Sequence, residues 1–180
     1  MPAPPELICA EYSPALQLRV LGLDAARLAE PVLDLGCGSR VALVRELRGL
    51  GKEAHGLDCA VSGDPLVLYG DWLDVELGQR RWGTVISHMG FSTQFLRHHL
   101  RRGPGAERYA RRYMDVLASL RPGGLFVYAP GLPFFEPLLP PERYAVVRRP
   151  VADLAGGCYD EQLTGLLGDS VFYSCQVTVL

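Results

Sequence analysis

Apolar and polar positions follow two different periods along this chain, and the changes of period divide it into short strands and longer helices. Val32–Asp34 is a brief apolar stretch with an acid in it, running through Leu35 into Gly36-Cys37-Gly38. From about Arg40 to Gly49 the apolar residues Val41, Leu43, Val44 and Leu47 fall at helical spacing. Glu53–Leu57, ending at Asp58, predicts a second strand, and Pro65–Tyr69, followed by Gly70-Asp71-Trp72, a third. Thr84–Ser87 predicts a fourth, after the polar turn Gln79–Gly83. His88–Gly103 has no clear period. Ala106–Leu120 predicts a long helix with Tyr109, Tyr113, Val116, Leu117 and Leu120 on one face. Pro122-Gly123-Gly124 stops it and turns into a fifth strand, Leu125–Tyr128. The segment GLPFFEPLLPPE is broken by prolines, and Tyr144–Arg148 and Val171–Val179 are the remaining strand candidates, the last rich in β-branched and aromatic residues. Near the start, Ser13 is placed to cap a helix with Pro14 in its first turn. That helix is expected to lie over the sheet or over a bound molecule, behind a loose proline-rich tail at residues 1–6.

Strand–helix alternation over the first two-thirds predicts an α/β fold, a mainly parallel sheet with helices on both faces. The last strand is expected to be antiparallel, because little chain is left for a helical crossover before it. One domain over residues 1–180 follows, with residues 1–28 as tail and covering helix. Its 180 residues, 48% hydrophobic, are enough for a sizeable core without disulfides or metals. The net charge of -2 gives no general reason to expect nucleic acid, and Arg101-Arg102 and Arg111-Arg112 read as solvated surface. The five cysteines (Cys9, Cys37, Cys59, Cys158 and Cys175) have neither disulfide-framework nor zinc spacing, so reduced thiols and no metal are expected. The opening MPAPPELICAEY lacks the basic start and apolar stretch of a signal peptide, and no run is long enough to span a membrane. A soluble cytoplasmic protein, monomer or homodimer, is the expectation.

A buried strand turning through glycines into a helix is a ligand-binding junction in an open α/β sheet, where the missing side chains let backbone approach a bound molecule. A dinucleotide site would favour a third glycine where this chain has Val41, which weakens a nicotinamide-dependent reading. About twenty residues past Gly38, Asp58 ends the second strand, where a carboxylate can accept both hydroxyls of a ribose. A turn or helix cap is the alternative role for that acid.

Taken in order, these segments resemble the class I S-adenosylmethionine-dependent methyltransferases over most of residues 31–130. VLDLGCGS is similar to that family's first motif, Asp58 to its ribose-binding acid, and GDWLD to its adenine segment. VISHMGF stands at the fourth-strand motif and LRPGGLFVYA at the turn into strand five. The resemblance implies a Rossmann-like seven-stranded sheet, mostly parallel with an antiparallel last strand. It also implies methyl transfer from S-adenosylmethionine to a small-molecule acceptor. Carried over residue by residue, Gly36 and Gly38 lie against the cofactor. Asp34 orients the glycine loop or meets the cofactor's ammonium through water, unless it is an ordinary backbone cap. Asp71 receives the adenine amino group, or caps a helix; Trp72 packs on the adenine ring, or is simply core. Cys37 is a packing residue. Ser87 belongs to the cofactor site and His88, just past the fourth strand, is the candidate general base, with a structural histidine as its alternative. His98 or His99 is a second candidate base, and Phe91, Phe95 and Leu132–Leu139 are expected to wall an acceptor pocket. The family's nucleic-acid amino methylators carry a D/N-P-P-Y/F-like motif after strand four; ISHM does not match it, so a DNA base is a poor substrate. Arg40 stands where the family usually has a further glycine. That substitution keeps open a second reading, a non-catalytic relative that uses the fold for binding or assembly.

Overall fold

Residues 12–102, 104–151 and 172–180 are described by the computed structural model of the chain. The tail at residues 1–6, Gly103, the start of the last strand at Val171, and the thiols of Cys9 and Cys158 lie outside them. Helix α1 (Pro14–Leu21) starts where its residues predict: Ser13 Oγ accepts the Leu16 N–H at 3.3 Å and Pro14 fills the first turn. Gly22 ends it at φ +64°, the left-handed conformation that glycine adopts without steric cost. Then follow β1 (Val32–Leu35), α2 (Ala42–Gly49), β2 (Ala54–Asp58), β3 (Val67–Tyr69), β4 (Trp82–His88) and α3 (Phe91–Leu100). Helix α4 (Gly105–Ser119) runs directly into β5 (Leu120–Ala129), and β6 (Tyr144–Pro150) and β7 (Tyr173–Val179) follow among the described residues.

The seven strands form one sheet in the order β3-β2-β1-β4-β5-β7-β6. The pairs β1–β2, β2–β3, β1–β4 and β4–β5 are parallel, and β7 is antiparallel to both β5 and β6. This is the α/β architecture expected, with its reversed strand in the expected place. Strands β1 and β4 are buried along their whole lengths, as central parallel strands covered on both faces must be. On one face α3 and α4 pack Phe91, Phe95, Tyr109, Tyr113 and Val116 against Val85, Phe126 and Tyr128. On the other, α1 and α2 pack Val20, Leu21, Leu43, Val44 and Leu47 against Val32, Ile86 and Val127. No helix among the described residues is long and apolar enough to cross a membrane.

Three local differences from the sequence reading have physical causes. The stretch read as irregular after β4 contains α3, whose apolar face is short (Phe91, Phe95, Leu96) because Ser92 and Thr93 are buried with it. Helix α2 starts at Ala42 rather than Arg40, because Val41 stands in the left-handed region at φ +54°. A β-branched residue there is strained, and the strain is offset by complete burial of its side chain in the α1–α2 layer. Strand β5 begins at Leu120, not Leu125. A register shift opposite Trp82–Thr84 absorbs the Pro122–Gly124 stretch, with Gly123 at φ +77°.

Candidate functional site

The strand order reverses between β1 and β4, and at their carboxyl ends the diverging connections open a crevice. At ~4.8 Å per strand, the ends of β2, β1 and β4 span about 10 Å. A cleft open to solvent lies there. Its walls include Gly36, Cys37, Gly38, Arg40, Asp58, Trp72, His88 and Gly90, with Tyr12 and Gln17 contributed from the α1 region.

The floor is the glycine loop. Gly36 and Gly38 have φ of +89° and +71°, so the loop's path requires residues without a Cβ. Two backbone bonds tie it to β2: the N–H groups of Gly36 and Cys37 donate to Leu57 O at 2.8 and 3.4 Å. Asp58 adds a third, its Oδ2 accepting the Gly38 N–H at 2.9 Å, while Oδ1 accepts the Ala60 N–H at 2.8 Å. Each carboxylate oxygen keeps capacity for one more donor, and the side chain is half-buried on the cleft wall. Cys37 packs into the space left by Gly56, where a Cβ would lie 2.4 Å from its sulfur. Burial and the nearby Asp34 and Asp58 push this thiol's pKa up, so it is a packing group and not a thiolate.

Asp34 sits near the end of β1 with 2% of its surface exposed, and burial together with Asp58 raises its pKa to about 7. It does not line the cleft; it lies in the strand that feeds the loop. Trp72 does line it. Its benzo edge rests against two glycines, 2.9 Å from where a Gly36 Cβ would stand and 3.6 Å from that of Gly90. Its Nε1–H donates to Tyr109 Oη at 3.4 Å. A side chain at Gly36 would therefore collide first with the tryptophan. Asp71 is exposed, off the cleft wall, and its Oδ1 accepts the Leu73 N–H at 2.8 Å, closing the turn after β3. Ser87 is fully buried, donating to Leu35 O at 2.9 Å and accepting the Phe91 N–H at 3.1 Å. Its hydroxyl joins β1 to the start of α3 and is absent from the cleft wall.

His88 closes the far end. It ends β4 opposite Ala129, is 7% exposed, and meets the Tyr12 ring edge-on with centroids 4.8 Å apart. Burial drives its pKa down to about 3, so the imidazole is neutral at physiological pH. His98 and His99 are elsewhere, stacked on Tyr109 and Phe134 with centroids at 5.1 and 3.6 Å. Of the residues singled out in the sequence, the fold gathers Gly36, Gly38, Asp58, Trp72 and His88 around one cleft. Asp34, Asp71 and Ser87 stand behind or beside it. Tyr12, Gln17 and Gly90 were not singled out, since only the packing of α1 and the turn after β4 bring them to the site.

No protein-family profile matches the chain, and no curated protein sequence does. Solved structures do. One chain of the complex formed with the Haloferax volcanii Trm112 methyltransferase activator is 19% identical with a TM-score of 0.56, covering 92% of this chain and 90% of that one. An S-adenosylmethionine-dependent methyltransferase from Mesorhizobium loti is 18% identical at a TM-score of 0.51, covering 89% and 100%. The glycopeptide N-methyltransferase MtfA is 18% identical at 0.52, covering 94% and 92%. At such identities the likeness is one of backbone architecture, and it extends over nearly the whole chain. With its strand order, its reversed strand and a cleft at the switch point, this protein has the Rossmann-like fold of the class I S-adenosylmethionine-dependent methyltransferases.

Proposed function

We propose that the chain binds S-adenosylmethionine in this cleft and transfers its methyl group to a small-molecule acceptor. The observation that carries the reading is the joining of Gly38 to Asp58. One carboxylate anchors the left-handed glycine loop and still offers an acceptor on each oxygen to the cleft. That suits a ribose diol lying against bare backbone. Asp34 stands behind the loop with its pKa raised to about 7, first by burial and then by Asp58, so Asp58 is the carboxylate on the cleft wall placed to attract a cationic ligand such as a sulfonium or ammonium.

When bound, the cofactor would supply an electrophilic methyl group, which leaves the protein to align a nucleophile and manage any proton. In this reading Asp58 holds the ribose hydroxyls, Gly36 and Gly38 give close backbone approach, Trp72 walls the adenine end and Asp71 reaches its amino group. Ser87 acts indirectly, by holding the end of β1 against α3. His88 faces the acceptor end as a neutral imidazole able to take a hydrogen bond or a proton. Its low basicity requires that a proton taken there be passed on at once.

Calorimetric titration with S-adenosylmethionine and S-adenosylhomocysteine tests the reading. Binding in the micromolar range, about -8 kcal/mol, is expected, and affinity weaker than about millimolar for both overturns it. A second reading, a binding or assembly protein on the same fold, is favoured by Arg40 on the cleft wall and by the low basicity of His88. Tight binding without turnover on a broad panel of small acceptors would identify that reading.

A further inference from the structure

The loop after β3 is gripped by one face of α4. Arg108, Tyr109 and Arg112 lie one helical turn apart or adjacent, and each holds a different residue of the loop. The Arg108 guanidinium pairs with Asp74 at 2.5 Å on the surface. The Tyr109 hydroxyl accepts the Trp72 indole N–H. Arg112, only 6% exposed, donates to Val75 O at 2.5 Å and has Asp115 3.9 Å away. A buried guanidinium bonded to a loop carbonyl is a costly arrangement to keep unless it holds that loop in place. Trp72 is thereby held at both edges, its N–H by α4 and its benzo edge by the slot between Gly36 and Gly90. Tyr109 is itself locked by stacking on Phe95 and His98, with centroids at 5.9 and 5.1 Å.

We propose that Tyr109 and Arg112 are positioning residues for the ligand: through Trp72 and Val75 they set the pose of the cleft wall and thereby the affinity for a nucleobase. This rests on the reading of the cleft as a nucleoside-bearing cofactor site. Neither residue lines the cleft, so each acts only through the loop.

The test compares S-adenosylhomocysteine with adenosine, which shares its nucleoside end and lacks the amino-acid end. Tyr109→Phe and Arg112→Met should each weaken both ligands by the same factor, about three- to tenfold, the worth of one hydrogen bond. Arg112→Lys, which keeps a donor, should recover part of the loss. Acrylamide quenching supplies the readout that general destabilisation would not move selectively. Trp82 is fully buried and Trp72 half-buried, so quenching reports on Trp72, and it should increase in both variants at temperatures well below unfolding. Should Arg112→Met fail to fold, Tyr109→Phe, which removes one oxygen, carries the test alone. Unchanged affinity in folded variants, or a loss for S-adenosylhomocysteine without a loss for adenosine, overturns the proposal and leaves the cofactor reading standing. Wild-type protein that binds neither ligand overturns both.

Discussion

Asp58 does two jobs with one carboxylate, so its removal has two consequences. Asp58→Ala should cost about 2–3 kcal/mol of cofactor affinity, roughly 30- to 150-fold, and also about 1–2 kcal/mol of stability from the unpartnered Gly38 and Ala60 N–H groups. A folded variant with unchanged calorimetric affinity would leave Asp58 a loop cap and nothing more. Asp34 is a buried acid whose pKa is raised from 3.8 to about 7. Its folded form binds protons more tightly than the unfolded chain, so its contribution to stability is full below pH 3.8 and is lost as pH rises through 7. Asp34→Asn should thus gain stability relative to wild type between pH 4 and 8, by about 2–4 kcal/mol, in urea denaturation followed against pH. A flat difference between the two proteins would mean that the acid is solvated. His88 has the opposite sign. Its pKa is depressed to about 3, so the neutral form persists through the physiological range and no histidine limb near pH 6.5 belongs in the rate profile. His88→Asn should leave cofactor affinity nearly intact and lower turnover by about 10²-fold at most, the low end for a positioned base because its basicity is low, if the acceptor must lose a proton. Equal rates in the two proteins reject the base assignment without touching the fold.

Among the elements, the segment between β5 and β6 shows how a proline-broken stretch is held. Its organiser is Glu136, whose side chain is fully buried. Oε1 accepts Tyr128 O–H and Leu132 N–H at 3.1 and 2.7 Å, and Oε2 accepts Arg148 Nε–H and Tyr173 O–H at 2.5 and 2.9 Å. One carboxylate thus ties the segment to β5, β6 and β7, and every acceptor is satisfied. Leu132 and Leu139, expected to wall an acceptor pocket, are core residues of the α3–α4 layer. Glu136→Gln would place an amide N–H against donors and should cost about 2–4 kcal/mol in chemical denaturation. Because Glu136 is not on the cleft wall, cofactor affinity of the folded variant should stay within about twofold. A loss of binding comparable to the loss of stability would show that the two faces of the sheet are coupled. The glycine loop makes the opposite point. Gly38→Val would be strained at φ +71° whatever occupies the cleft, so loss of binding in that variant would mix loop distortion with steric exclusion.

For the molecule as a whole, a ligand that bridges β2, β1, β4 and the α1 region should stabilise the fold by mass action. At a hundredfold excess over its dissociation constant, S-adenosylhomocysteine should add about 2.7 kcal/mol, or roughly 5–10 °C in melting temperature for a chain of this size. A scan at increasing ligand that leaves the midpoint unmoved counts against the cofactor reading. The cleft draws on both sheet faces: Tyr12 and Gln17 come from the α1 side, whereas Trp72 is held by α4.

The order of the strands, the glycine loop and the position of the cleft at the ends of β1, β2 and β4 were legible from local patterns. Period, glycine placement and strand-terminal acids are properties of a few adjacent residues, and parallel crossovers leave few ways to assemble them. The reversed final strand was expected too, but the 22 residues between β6 and β7 are long enough for a crossover, so chain length alone did not decide its direction. Local pattern was weaker where polar residues are buried: Ser92 and Thr93 hid the helical period of α3, and Val41 entered the left-handed region because burial of its side chain outweighed the strain. Which polar groups face the cleft was beyond any local signal. Asp34, Asp71 and Ser87 are near it in sequence terms, yet their exposure and hydrogen bonds depend on contacts that only the folded sheet supplies. The same holds for the neutrality of His88 and for the grip of α4 on Trp72, since burial and pairing between residues as distant as Trp72 and Tyr109 arise only when the layers close.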